Sequence, residues 1–238
     1  MPNSRIPPSR SRSMLSRRHV LLGASAVASL VPPLSAAETP TARPSSNAHF
    51  DVERFIDDCK RVSAERSDDA QRAVQDVMAR AMSNTRALLA GVGEPEKGGI
   101  QTLYRSPTLT ILNIVWSPLM QLIPHDHRMW AVIGIYTGRE DNIFWQRRDG
   151  RLSAMNATAI SEGSVVPLAT DVIHSVSNPI EKLTGAIHIY GGDFFATPRS
   201  EWDPETLTER DWSIARALRT FRESNDRFFA PRTQSRCD

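Results

Sequence analysis

The sequence predicts a mainly β protein: a small closed antiparallel barrel, with helices before it and one helix after it. Two observations carry the prediction. Between residues 99 and 195, short runs rich in Ile, Val, Thr and aromatic residues alternate with turn material, and no helical periodicity intervenes. That pattern belongs to closed or sandwiched antiparallel sheets and argues against a doubly wound parallel one. On both sides of this region the apolar spacing changes to that of amphipathic helices.

A chain of 238 residues with 40% hydrophobic content can build one domain with a real core and some terminal decoration. Its first 37 residues hold five basic residues (Arg5, Arg10, Arg12, Arg17, Arg18) and no acidic one. Within them Ser16-Arg17-Arg18-His19-Val20-Leu21-Leu22 resembles a twin-arginine export signal, followed by a short apolar run, Val20 to Leu34, and the small residues Ser35-Ala36-Ala37. Residues 1–37 therefore read as a signal peptide, the export machinery as a partner and the periplasm as the destination. The run is too short to span a bilayer comfortably. Of 29 basic residues, 24 remain without the leader against 27 acidic ones, a balance of −3, so nothing supports nucleic-acid binding.

Residues 38–48 are polar and proline-bearing, a linker, and folding is expected from about His49. Residues 49–98 read as a helical segment. Val52, Phe55, Ile56 and Cys59 recur at helical spacing; after the start signal Ser67-Asp68-Asp69, so do Ala73, Val74, Val77, Met78 and Met82. Both helices read as scaffold packed on a sheet. The strand-like runs are Leu109–Trp116, Trp130–Tyr136, Asn142–Arg147, Gly163–Leu168, Val172–Val176 and Gly185–Tyr190, with turns such as Arg148-Asp149-Gly150 and Ser177-Asn178-Pro179 between them. Residues 196–238 form an extension with a helix expected from Thr206 to about Phe221, turning Trp212, Ile214, Ala217 and Leu218 inward. Two cysteines, Cys59 and Cys237, leave a disulfide between the two ends of the mature chain open.

In Pro124-His125-Asp126-His127 the two histidines are two apart on the edge of a strand, so both imidazoles leave one face while Asp126 takes the other. A second block, Gly163-Ser-Val-Val-Pro167 followed by His174-Ser-Val-Ser-Asn178, sets another histidine in a β-type run between two turns.

Together the blocks resemble the paired motifs of the cupin superfamily, with His125, His127, His174 and Asn178 at matching positions over roughly residues 100–195. The resemblance implies a double-stranded β-helix with a metal held by the three histidines. Where a glutamate ligand would fall stand Trp130, Ala131 and Val132, and Glu140 is too far along. A three-imidazole site is similar to that of the cysteine dioxygenase type of cupin, which implies Fe(II), a small thiol and dioxygen. Ala186-Ile-His188-Ile-Tyr190 resembles the Ser-x-His-x-Tyr relay of those enzymes, with Ala186 in place of serine. By the same resemblance His188 and Tyr190 are the catalytic candidates, and Tyr104-Arg105 supplies a carboxylate anchor with Arg128 as competitor. No crosslinking cysteine stands near Val132. The runs Trp130 to Asn142 and His188 to Phe195 are also similar to bacterial proteins described only as predicted metal-dependent double-stranded β-helix enzymes. Three readings stay open: a thiol dioxygenase that is monomeric or a small homo-oligomer, a cupin enzyme of another substrate class or using Mn, Ni or Zn, and a non-catalytic metal- or ligand-binding cupin.

Overall fold

The computed structural model describes residues 50–66 and 69–230. The leader, the linker, Ser67, Asp68 and Cys237 lie outside the described residues. Among the described residues, eleven strands and four helices follow in order: α1 (Val52–Glu65), α2 (Ala70–Met82), α3 (Thr85–Val92), β1 (Gly99–Arg105), β2 (Thr110–Trp116), β3 (Gln121–Asp126), β4 (Ala131–Thr137), β5 (Arg139–Arg148), β6 (Arg151–Ser161), β7 (Val165–Leu168), β8 (Ile173–Ser177), β9 (Thr184–Tyr190), β10 (Ser200–Trp202), β11 (Glu209–Asp211) and α4 (Ile214–Phe229).

All strand pairs are antiparallel, in two sheets ordered β1-β2-β9-β4-β7 and β11-β10-β3-β8-β5-β6. Within them β2-β9-β4-β7 face β3-β8-β5-β6, the interleaved order of a two-sheet jelly roll, or double-stranded β-helix. The fold expected from the sequence is the fold present.

In the first sheet β2, β4 and β9 are buried on both faces, because helices cover the sheet's outside. Asp51 caps α1 by accepting the Arg54 N–H at 3.0 Å, and Phe55, Ile56 and Cys59 turn inward. From α2, Val74, Val77, Met78 and Met82 meet Val132 and Tyr136 of β4 and Ile187 and Ile189 of β9. Gln71 of α2 donates to the carbonyls of Ala131 and Leu168, tying the helix to β4 and β7. Alternate residues of the same strands, Ile133, Ile135, Ala186 and Tyr190, fill the barrel interior. Cys59 is buried and has no disulfide partner among the described residues; burial pushes its thiol pKa up to about 12.

The β5–β6 hairpin turns at Asp149 and Gly150, both with positive φ (49° and 73°), as a two-residue primed turn requires. Its second strand, β6, escapes the sequence reading because it is exposed over most of its length, with only Leu152 and Ile160 buried and no run of large apolar residues to mark it. Strands β1, β10 and β11, and the short helix α3, are likewise additions to the expected elements.

The C-terminal helix is corrected by more than a turn. Residues Glu205–Thr208 form a turn around Asp203, whose carboxylate accepts the Glu205 and Thr206 N–H groups, and Glu209–Asp211 pair with β10. Ser213 then caps α4. The inward residues are Ala217, Phe221 and Ser224, whereas Leu218, expected inward, is 37% exposed. Asn225 fastens α4 to the barrel through both backbone groups of Gly98 and the Ser117 hydroxyl. Phe221 stacks on Trp116, ring centroids 5.4 Å apart. The helix thus closes one mouth of the barrel.

Candidate metal centre

Three imidazoles meet beneath that closed mouth. His125 and His174 are register partners across β3 and β8, and an irregularity in β3 between Leu122 and His125 turns His125 inward. His127 follows the strand end, just before the chain bends at Arg128, whose φ is +57°. Asp126 points the other way, taking the Ser200 N–H at 2.7 Å and Arg128 Nε at 2.6 Å. His127 Nε2 lies 3.3 Å from both His125 Nε2 and His174 Nε2, all three rings are buried, and their ligand atoms lie within 4.8 Å of one another.

The hydrogen bonds on the far side of two rings fix which nitrogen is free. His125 Nδ1 sits 2.9 Å from the Ile123 carbonyl, which can only accept, so Nδ1 carries the proton and Nε2 a lone pair. For His174 the argument runs through two more residues. Glu140 accepts the Asn142 Nδ2 amide at 2.9 Å, so Asn142 must turn its Oδ1 toward His174 Nδ1, 2.6 Å away. That nitrogen is therefore the donor, and His174 Nε2 offers its lone pair inward. Burial, aided by neighbouring charges, holds the imidazoles neutral: His125 is lowered to about 4, and His127 and His174 lie well below their ordinary value. Two lone pairs aimed at one point beside a third imidazole, all resisting protonation, are what a divalent ion needs. His127 Nδ1 has no partner among the described residues.

Beside the triad runs a buried polar chain. Tyr190 Oη is 3.2 Å from His188 Nδ1. His188 Nε2 lies 3.4 Å from Glu140 Oε2, near enough for charge contact though not aligned as a hydrogen bond. Glu140 is wholly buried and also accepts Trp116 Nε1–H at 2.8 Å. Burial pushes its carboxyl up, but His188, Asn142 and Trp116 outweigh that and leave it below the usual range, hence ionised. The Tyr190 phenol is raised by burial and stays protonated. His127, Tyr190 and Phe194 pack edge-on and tilted, with Tyr190 5.0 Å from His127 and 4.5 Å from Phe194 between centroids.

Four residues singled out in the sequence are placed apart from this centre. Arg105 grips Asp193 through Nε and Nη2 at 2.9 and 3.0 Å and lies over Phe195, with half its side chain exposed. Tyr104 lies under Lys60 on the helical side. Arg128 holds Asp126 and Ser200 on the outer surface. Asn178 is no ligand; its amide donates to the carbonyls of Trp116, Ser117 and Lys182 and locks two loops together. The residues missed are Glu140 and Asn142, on alternate inward positions of β5. An earlier start for β5 would have found both by period. The cavity between the triad, Trp116, His188, Tyr190, Phe194, Trp212 and Phe221 holds about 20 Å³, no more than a water molecule.

No protein-family model matches the sequence. The structure is similar to an RmlC-like cupin family protein with a double-stranded β-helix fold from Methanocaldococcus jannaschii, at 14% identity over 42% of this chain and 85% of that one, TM-score 0.36. It is also similar to a conserved protein with a double-stranded β-helix domain from Klebsiella pneumoniae, at 8% identity over 51% and 89%, TM-score 0.33. A third is a cupin 2 conserved barrel domain protein from Salinispora arenicola, at 21% identity over 38% and 72%, TM-score 0.31. The fold assignment itself stands on the strand order.

Proposed function

We propose that this chain is a non-haem Fe(II) dioxygenase that oxidises a small thiol to its sulfinate, with His125, His127 and His174 holding the iron. The observation that carries the reading is the donor set: three buried imidazoles, and no carboxylate in the cluster among the described residues. Three neutral ligands leave the divalent charge uncompensated and about three positions free, which favours an anionic thiolate. Bound Fe(II) would supply the redox chemistry that joins both atoms of dioxygen to sulfur, RSH + O2 giving RSO2H with no external reductant.

The chain's own residues shape that step. Tyr190 presents a protonated phenol beside His127 and orients an oxygen-bearing ligand by hydrogen bonding. His188 holds Tyr190, and Glu140 lies 3.4 Å from the other nitrogen of His188, in place of the support that a serine at position 186 would give. Rings of Phe194, Trp116 and Phe221 keep water from the centre. A carboxylate in the wall of the barrel, outside the donor set, tunes the site without occupying a coordination position. The twin-arginine leader extends the proposal to a folded, metal-loaded protein delivered to the periplasm.

The test is His174→Ala, measured for bound iron and for oxygen uptake across a panel of thiols. Loss of both is expected. Wild-type protein that binds iron but consumes no oxygen with any thiol would turn the reading toward another substrate class, and His174→Ala with undiminished uptake would end it.

A further inference from the structure

A sheet edge is a row of unpaired N–H and C=O groups that another chain can join, and folded proteins guard it with short strands, charges, proline or bulges. The described residues present four edges: β1 and β7 in the first sheet, β11 and β6 in the second. Three are guarded. A bulge between Thr102 and Tyr104 breaks β1. Strand β7 is four residues long with Pro167 inside it, and its Leu168 carbonyl accepts from Gln71 of α2. Strand β11 is Glu209-Arg210-Asp211, three residues and all charged.

The fourth edge, β6, is the longest strand of the described residues, 11 residues from Arg151 to Ser161, and most of it is exposed. From Leu152 to Ser161 it carries no charge, no proline and no glycine. The uncharged strand β2 is hidden, buried from end to end. Here the chain keeps a surface strand free of charge.

Met155 is the extra residue of a bulge, since Asn156 pairs with Phe144 and Ala154 with Trp145. Beyond it, Asn156 to Ser161 run in regular register with Phe144 to Arg139. Two exposed large apolar side chains lie here: Met155, 57% exposed, and Ile143, the register partner of Ala157, 42% exposed. Exposed apolar side chains beside an unguarded edge mark a surface that a partner covers.

We propose that β6 is a dimer interface, joined edge to edge with β6 of a second copy about a two-fold axis through Thr158. That axis, normal to the sheet, makes the pairing antiparallel and keeps inward residues beside inward ones. It sets Thr158 against Thr158, Ala157 against Ala159 and Asn156 against Ile160. No like charges meet, because the stretch holds none; a hydroxyl pair sits on the axis and small side chains flank it. A charged peptide would find no complement along this edge, whereas the strand complements itself. The facing residues make roughly four to six backbone hydrogen bonds between the copies, and two six-stranded sheets become one continuous sheet. Thr158 is the register partner of Asn142, so the interface lies one strand from the residue that orients His174. A single strand pairing is a small interface, so association is reversible and depends on concentration.

Sedimentation equilibrium of the full chain from about 1 μM to about 1 mM tests this. The mass should rise from that of one chain, 26.5 kDa, toward twice that value. Thr158→Lys sets two like charges on the axis and should weaken association roughly ten-fold or more. Because the position is exposed, its thermal melt should match that of dilute wild type. Phe229→Lys, which charges the exposed aromatic end of α4, should dimerise as wild type does. A second measurement needs no added charge: in a Cys237→Ser background, Thr158→Cys should form a disulfide-linked dimer under mild oxidation, and Ala154→Cys, equally exposed but off the axis, should not.

A single-chain mass at every concentration would overturn the proposal. So would a dimer that survives Thr158→Lys, or one that Phe229→Lys dissolves, which would put the contact on α4. Cross-linking through Ala154→Cys in place of Thr158→Cys would refute the axis at Thr158.

Discussion

Replacing Glu140 by glutamine should damage the metal centre from two residues away. Glu140 accepts from Trp116 through one oxygen and from Asn142 through the other, with His188 beside the first. A glutamine keeps one acceptor and places an N–H₂ where the other was. If the amide oxygen stays with Trp116, the new amide nitrogen faces Asn142, which must rotate to offer its Oδ1. Asn142 then turns its own N–H₂ toward His174 Nδ1, 2.6 Å away. His174 can accept that hydrogen bond only by moving its proton to Nε2, which removes the lone pair a metal requires.

The expected cost is about 1.5–3 kcal/mol of stability, for the loss of hydrogen bonds to a charged group, and a roughly 10–100-fold loss of metal affinity. Urea unfolding of metal-free protein reads the first and competition with a chelator of known affinity the second. The double variant Glu140→Gln, Asn142→Asp should recover metal affinity, since an aspartate can accept from both neighbours. Wild-type affinity in Glu140→Gln, or no recovery in the double variant, would refute this coupling.

Stability of the metal-free protein should fall steadily with acid. The folded-state pKa of His125 lies near 4 against an ordinary 6.5, so between those values the unfolded chain binds a proton that the folded chain refuses, and stability rises with pH. That imidazole alone is worth about 3 kcal/mol across the window, with His127 and His174 acting in the same sense; Glu140, lowered from 4.5, adds a loss only at lower pH. Urea midpoints measured from about pH 7 to about pH 4 should decline throughout, and a flat profile would contradict neutral buried imidazoles. On the opposite face of the sheet, Gly185→Ala would set a Cβ 2.2 Å from Cζ of the buried Tyr136 ring. That ring is held by its hydrogen bond to Asn113, so about 3 kcal/mol should be lost. An unchanged urea midpoint in Gly185→Ala would show that the ring gives way freely.

The barrel was legible because its strands are buried, and burial writes itself into sequence as Ile, Val and aromatic runs. The missed strands are those that lack this signal: β6 faces solvent, β1 is only half-buried, and β10 and β11 are three residues each. The displaced helix has a local cause. The helix is expected from Thr206, but Asp203 claims the backbone amides of that turn, and the cap falls to Ser213.

At the centre, the histidines were found because ligand spacing is a short-range property. Glu140 was set aside as too distant to be a ligand, which the geometry respects, yet its distance along β5 is what brings it behind His174 and His188. The anchoring role that the resemblance gave to Arg105 meets a side chain already engaged with Asp193.

Anomalous X-ray scattering from crystals of protein purified without added metal, recorded on both sides of the iron edge, tests the three-imidazole centre most directly. A single iron peak equidistant from the Nε2 atoms of His125, His127 and His174, with no carboxylate oxygen in its coordination sphere, is the result the account predicts. A peak elsewhere, a carboxylate ligand in that sphere, or no metal at the triad would contradict it.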